Sequence, residues 1–300
     1  MWQQLLEGIQ KKDFKALSRS ISLVENEVEG YMGFLQQLVS AGVPVIGITG
    51  PPGAGKSTLT DALIQELIKE NKTIGVLCID PSSPFNLGAL LGDRIRMSNW
   101  YTHPKVFIRS LATRGALGGL HPQVIEIMTL MQASGFDSII VETVGVGQSE
   151  VEIAGLADTT VVVVVPEAGD EVQTMKAGLM EIADIFVVNK SDRPEADLFV
   201  KNLRMMLAPS FTRKHTDVPV LKTVASEQKG IKELVKVISG QQKHLTEMPD
   251  KKSWLMTEKA FKLIQKKRMS DVNKESLRDS INREAKQSGF NLFTFVEENY

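Results

Sequence analysis

The chain has 300 residues, with 35 Lys and Arg against 36 Asp and Glu and a formal net charge of −1. That balance lacks the basic excess of a nucleic-acid surface, so nucleic acid is not an expected partner. One cysteine, Cys78, excludes an intramolecular disulfide, and one cysteine with 4 histidines is a poor donor set for a thiolate metal centre.

Residues 1–41 carry apolar side chains at helical spacing, first Leu5, Leu6 and Ile9, then Leu17, Ile21 and Val24, and read as an N-terminal helical extension. No cationic segment followed by an apolar run opens the chain, and no apolar run is long enough for a bilayer. A cytoplasmic protein without membrane association is therefore the expectation. Gly42, Val43 and Pro44 interrupt the helical pattern. Residues 45–49 then read as a strand, followed by a glycine-rich loop and a helix from Lys56 to about Glu70. Strand-like runs recur at residues 73–79, 105–110, 138–142, 159–165, 185–189 and 218–222. Helical stretches are clearest at 121–133, 170–182, 194–207 and 229–241. The strands are continuous apolar runs, such as Ile139-Ile140-Val141 and Val161 to Val165. Such runs must be covered on both faces, which predicts an α/β fold with a mostly parallel sheet between helices. From about Pro249 the composition turns to Lys, Glu and Ser, with Leu255, Phe261, Leu263 and Ile264 at roughly helical intervals. The expected organisation is a helical extension at 1–41, a nucleotide domain at 42–245 and a C-terminal helical arm at 246–300.

Gly50-Pro51-Pro52-Gly53-Ala54-Gly55-Lys56-Ser57 matches G-x-x-x-x-G-K-[ST] between a predicted strand and a predicted helix, the context that a phosphate loop requires. Glycines let the main chain wrap with its N–H groups inward, Ala54 among them, and the helix N-terminus adds its dipole. Lys56 is expected at the β- and γ-phosphates, Ser57 on Mg²⁺ and Thr58 near the α-phosphate. Asn189-Lys190-Ser191-Asp192 follows a later strand-like run and has the N-K-x-D pattern of guanine recognition. The Asp192 carboxylate suits the N1–H and N2–H₂ donors of guanine, which adenine does not present, and so GTP and GDP are the expected ligands. Thr223-Val224-Ala225-Ser226 reads either as a strand-end turn or as a loop offering the Ala225 N–H to the base.

Glu142-Thr143-Val144-Gly145 ends another strand-like run. Glu142 is placed to hold Mg²⁺ directly or through water, and Gly145 to sense the γ-phosphate. Asp80 and Asp93 read either as further metal carboxylates or as turn caps. Small regulatory GTPases place a water-orienting glutamine directly after the switch glycine. Here that position is Val146, and Gln148 is the nearest substitute, so slow intrinsic hydrolysis is expected. Arg114 reads either as a cation for the transition state or as a surface arginine, and His121 as a residue at a helix N-terminus.

Several linked segments resemble one family. They are Ile79-Asp80-Pro81-Ser82-Ser83-Pro84, Gly92-Asp93-Arg94-Ile95-Arg96-Met97, Ala112-Thr113-Arg114-Gly115, Gly118-Gly119-Leu120, Glu142 to Glu150 and Pro166 to Gly178, with Leu17 to Glu25 near the start. Over about residues 15–240 the chain resembles the MeaB/MMAA/ArgK group. The resemblance implies a homodimeric GTPase that chaperones an adenosylcobalamin-dependent acyl-CoA mutase, chiefly methylmalonyl-CoA mutase. Such proteins gate the loading and exchange of adenosylcobalamin, which belongs to the partner. It further implies a phosphate role for Lys56, a switch role for Lys176, metal roles for Ser57, Asp80, Asp93 and Glu142, and guanine recognition by Asn189, Lys190 and Asp192. With Gln148 read from its position alone, Lys56, Glu142, Gln148 and Lys176 are the candidate catalytic residues. The chain departs from the group between Pro84 and Leu90, where Phe85-Asn86-Leu87-Gly88 keeps one glycine of a usual pair. Its C-terminal arm matches only vaguely. Two rival readings share the phosphate loop. A metallochaperone GTPase expects Cys and His ligands that are missing here, and a small-molecule kinase is opposed by Asn189 to Asp192.

Overall fold

Apolar strands without alternation are stable only when layers cover both their faces. In the computed structural model they form a 7-stranded sheet in the order β3-β2-β4-β1-β5-β6-β7. Every strand pairing in it is parallel. The strands are β1 (Val45–Thr49), β2 (Ile74–Asp80), β3 (Val106–Ala112), β4 (Ser138–Thr143), β5 (Thr159–Val164), β6 (Ile185–Val188) and β7 (Val220–Lys222). The structure describes residues 1–39, 42–80, 97–113, 120–143, 149–166, 177–207, 218–243, 250–269, 271–286 and 289–300. Among these residues no helix is long and apolar enough to cross a membrane. Two compact units are present, Met1–Ser253 and Trp254–Tyr300.

The valine run shows how both faces are used. Val161 and Val163, with Ile185 and Val187, pack under α4 (Lys56–Lys69) and α9 (Ile231–Lys243) through Leu59, Leu63, Ile231 and Leu234. The alternate residues Val162, Val164, Phe186 and Val188 pack on the opposite face. There they meet Leu179 of α7 (Ala177–Ile182) and Phe199 and Leu203 of α8 (Ala196–Leu207). This is the period of two expected of a strand with both faces buried. Each such side chain contributes roughly 1.5–3 kcal/mol on burial.

Three helices precede the sheet: α1 (Trp2–Gln10), α2 (Phe14–Glu25) and α3 (Tyr31–Leu35). They are separate because single residues interrupt them. The Asp13 side chain accepts from Lys15 N at 2.8 Å and caps α2, and Gly30 enters α3 at φ +86°. Phe14 lies 5.5 Å, centroid to centroid, from both Phe107 and Phe136, and Trp2 stacks on Phe34 at 4.9 Å. Arg109 on β3 pairs with Glu25 at 2.9 Å, which ties α2 to the sheet edge.

Among the remaining helices of the first unit, three start later than their apolar spacing predicts. α5 (Val124–Ala133) begins after His121, whose Nδ1 accepts from Gln123 N at 3.1 Å. His121 is thus a buried residue of the preceding turn, 3.8 Å from Glu25, rather than part of the helix. α8 begins after Glu195, which has φ +66°. α6 (Ser149–Leu156) is a helix that apolar spacing did not pick out. The expected helix from 170 is described only from Ala177. The unit division falls within α10 (Asp250–Arg268), and α11 (Lys274–Glu284) and α12 (Leu292–Asn299) lie in the second unit. Asn273 and Asn291 cap these two helices by accepting main-chain N–H groups, and Phe295 is buried near Phe290 and Tyr300.

This topology sets the position of a site. β1 is central, with β4, β2 and β3 on one side and β5, β6 and β7 on the other. In open α/β sheets the crevice beyond the carboxyl ends of the strands, where the winding reverses, is where ligands bind. The glycine-rich loop leaves β1 at that point.

Candidate active site

The loop from Gly50 to Gly55 joins β1 to α4. Gly50 has φ +138°, and a Cβ there would stand 2.1 Å from the carbonyl oxygen of Val163. Only glycine can leave the strand this close to β5. Gly55 has φ +88°, and its Cβ would meet Asn189 Nδ2 at 2.4 Å. The N-cap of α4 is Gly55, which has no side chain to offer, and the N-terminal amides and dipole of the helix face the loop in the manner that suits an oxyanion. Ala54 is buried, Gly53 has φ +76° and Thr58 is exposed at the helix start. Lys56 is buried, and its ammonium donates to the carbonyls of Gly50 at 2.9 Å and Pro51 at 3.0 Å. It therefore lies across the loop.

Glu142 occupies the end of β4, opposite Ile48 of β1 and Cys78 of β2. The carboxylate is buried at 4% exposure, and α4 supplies it with hydroxyls. Ser57 Oγ donates to Oε1 at 2.6 Å, and Thr60 Oγ1 donates to Oε2 at 2.6 Å. Next to it, Thr143 Oγ1 donates to Thr49 Oγ1 at 3.0 Å. A hydroxyl and a carboxylate oxygen side by side at a helix start are hard donors of the kind Mg²⁺ takes, so this pair fits the expected ion. Asp80 ends β2 two positions beyond Cys78, and its side chain lies outside the described residues. Among the described residues no group of three or more His, Cys, Asp or Glu is gathered for a metal.

The third part of the site is built around Asn189, at the end of β6. Its buried amide donates through Nδ2 to Ala54 O at 3.0 Å. Through Oδ1 it accepts from Thr223 Oγ1 and from Ala225 N, each at 3.1 Å. One side chain thus links the phosphate loop to the segment after β7. The Ala225 N–H, a candidate donor to a base, is directed at Asn189 here. Lys190 has φ +54°, and its ammonium reaches back to Gly53 O at 2.8 Å. Asp192 is exposed on the turn that follows. Lys229 stands close by. The hydrogen bond and charge of Glu227, 2.7 Å away, hold its ammonium above the usual lysine pKa, and the Asp192 carboxylate adds to this.

The structure therefore brings Gly50, Gly53, Ala54, Gly55, Lys56, Ser57, Thr58, Glu142, Asn189, Lys190, Asp192 and Ala225 to the carboxyl edge of one sheet. Asp93, Gly145, Gln148, Lys176 and Arg114 lie outside the described residues. Thr60 joins the site without belonging to any motif, and Thr223 joins it through its hydroxyl on Asn189. Thr60 follows Ser57 by three residues, the spacing that puts two side chains on one helix face, and this is the sequence signal that points to it.

A model of the family described as methylmalonyl Co-A mutase-associated GTPase MeaB matches residues 17–279. A putative GTPase of Pyrococcus abyssi is 52% identical over 239 residues, which cover 78% of this chain and 74% of that protein. A fused isobutyryl-CoA mutase of Geobacillus kaustophilus is 35% identical over 237 residues, covering 74% of this chain and 22% of the relative. The crystal structure of a LAO/AO transport system kinase superposes with a TM-score of 0.69 at 24% identity, covering 99% of this chain and 95% of the other. At that identity the likeness speaks to the fold alone. The extent of the family match and the identity to the archaeal relative place the chain in the methylmalonyl Co-A mutase-associated GTPase MeaB family.

Proposed function

We propose that this GTPase uses GTP binding and hydrolysis to chaperone an adenosylcobalamin-dependent acyl-CoA mutase, with methylmalonyl-CoA mutase as the expected partner. The observation that carries the reading is the Asn189 amide, which joins Ala54 of the phosphate loop to Ala225 of the base-recognition segment. This link supports reading the phosphate and guanine contacts as one site for a single guanine nucleotide. The relative named as a fused isobutyryl-CoA mutase supports an acyl-CoA mutase as the partner class.

In this reading the main-chain amides of Gly53, Ala54 and Gly55 and the Lys56 ammonium bind the phosphates. Thr58 meets the α-phosphate. Asp192 accepts from guanine N1–H and N2–H₂, while Asn189, Lys190 and Ala225 shape the base site. Ser57 and Glu142, with Asp80 and Asp93, would hold Mg²⁺, which when bound neutralises charge on the β- and γ-phosphate oxygens. Lys56 shifts its hydrogen bonds from the Gly50 and Pro51 carbonyls to the phosphate oxygens, where charge builds up in the transition state. Gly145, Gln148 and Lys176 are assigned to the γ-phosphate side, with Lys176 answering the partner. The absence of glutamine directly after Gly145 supports a low basal rate. The arm at 246–300 is assigned to homodimerisation.

The test is steady-state GTP hydrolysis with and without purified methylmalonyl-CoA mutase or isobutyryl-CoA mutase. A slow basal rate that rises with one mutase supports the reading. A high basal rate unaffected by either mutase overturns it.

A further inference from the structure

The two hydroxyls on Glu142 differ in what else they can do. Ser57 belongs to the phosphate-loop motif, and its hydroxyl is the one that turns to a metal. Thr60 sits one turn deeper in α4 and is fully buried at 0% exposure. Its single proton has two acceptors within reach, Glu142 Oε2 at 2.6 Å and Lys56 O at 3.1 Å. The shorter contact to a charged acceptor takes the proton.

The main chain around Glu142 has little freedom. Register pairs it with Ile48 on one side and Cys78 on the other. The neighbouring Thr143 hydroxyl is bonded to Thr49. The terminal torsion of a glutamate is intrinsically broad, so the bonds to its two oxygens bear on the plane of the carboxylate. We propose that Thr60 is a positioning residue for the metal site: its hydroxyl holds Glu142 Oε2, so that Oε1 faces Ser57 Oγ and the ion. When the Ser57 hydroxyl turns to the metal, the Thr60 bond still sets the plane of the carboxylate. The inference rests on the reading of Ser57 and Glu142 as Mg²⁺ groups.

The test titrates Mg²⁺ into the full-length chain with guanosine 5′-[β,γ-imido]triphosphate and follows nucleotide binding by calorimetry. Wild type, Thr60→Val, Thr60→Ala and Thr60→Ser are compared, each with its melting temperature and its nucleotide affinity in EDTA. Loss of a group that orients a metal ligand raises half-saturating Mg²⁺ by about tenfold or more, and Thr60→Val and Thr60→Ala are both expected to do so. Their affinity in EDTA stays at the wild-type value, and Thr60→Ser returns the Mg²⁺ dependence to normal. A purely structural role would lower the melting temperature without moving the Mg²⁺ midpoint. The proposal fails if folded Thr60→Val or Thr60→Ala keeps the wild-type midpoint, or if Thr60→Ser shifts as far as they do. If wild-type binding shows no Mg²⁺ dependence, the reading of the metal site falls and this inference falls with it.

Discussion

Replacing Asn189 by alanine removes three hydrogen bonds from a buried position. The lost partners are Ala54 O at 3.0 Å, Thr223 Oγ1 at 3.1 Å and Ala225 N at 3.1 Å. At a net of roughly 0.5–1.5 kcal/mol each, the loss sums to about 3 kcal/mol. A domain of this size shifts its melting temperature by roughly 2–4 °C per kcal/mol, so Asn189→Ala should melt about 6–12 °C below wild type. The same change uncouples the segment after β7, for which base recognition is proposed, from the loop between β1 and α4. If only a third to two-thirds of the coupling is felt in binding, GDP affinity falls about 5- to 30-fold. Asn189→Asp sharpens the test. It keeps the acceptor for Ala225 N and Thr223 Oγ1 but sets a carboxylate oxygen against the carbonyl of Ala54, so it should be no better than alanine. Thermal unfolding with and without GDP, together with calorimetry, reads both effects. An Asn189→Ala protein that melts and binds GDP like wild type would refute the reasoning.

Two further substitutions probe neighbouring parts of the site. Gly55→Ala adds a Cβ 2.4 Å from Asn189 Nδ2 at φ +88°, and calorimetry should show GDP affinity down by about tenfold or more, since strain and displacement together cost at least 1–3 kcal/mol. Asp192→Asn replaces a double acceptor by a group with its own N–H donors. It should weaken GDP and favour xanthosine diphosphate, which carries a carbonyl where guanine has its amino group, and competition binding distinguishes the two.

How far the site was legible depends on how local each signal is. The phosphate loop and the Asn189-Lys190-Ser191-Asp192 turn are contiguous, and each follows an apolar run that forms the strand expected of it. The parallel sheet was legible from the valine run, because burial on both faces removes the alternation that a half-exposed strand would keep. The role of Thr60 was not, since its acceptor lies 82 residues away on another strand. The clamp made by Asn189 was hidden for the same reason, joining Ala54 and Ala225 across 135 and 36 residues. α6 carries no legible signal, because its apolar residues have no helical period to separate face from face. The breaks between α1, α2 and α3 rest on one side-chain cap and one left-handed glycine. Such single-residue signals are easily lost within a continuous apolar pattern.

The central claim is that one rigid pocket selects guanine while the loop and Lys56 grip the phosphates. Calorimetry of GTP and ATP binding in Mg²⁺, with wild type and Lys56→Ala side by side, tests it most directly. The account predicts that wild type binds GTP at least about 100-fold more tightly than ATP, and that Lys56→Ala loses most of that GTP affinity. Equal binding of ATP and GTP, or a Lys56→Ala protein that binds GTP like wild type, would contradict it.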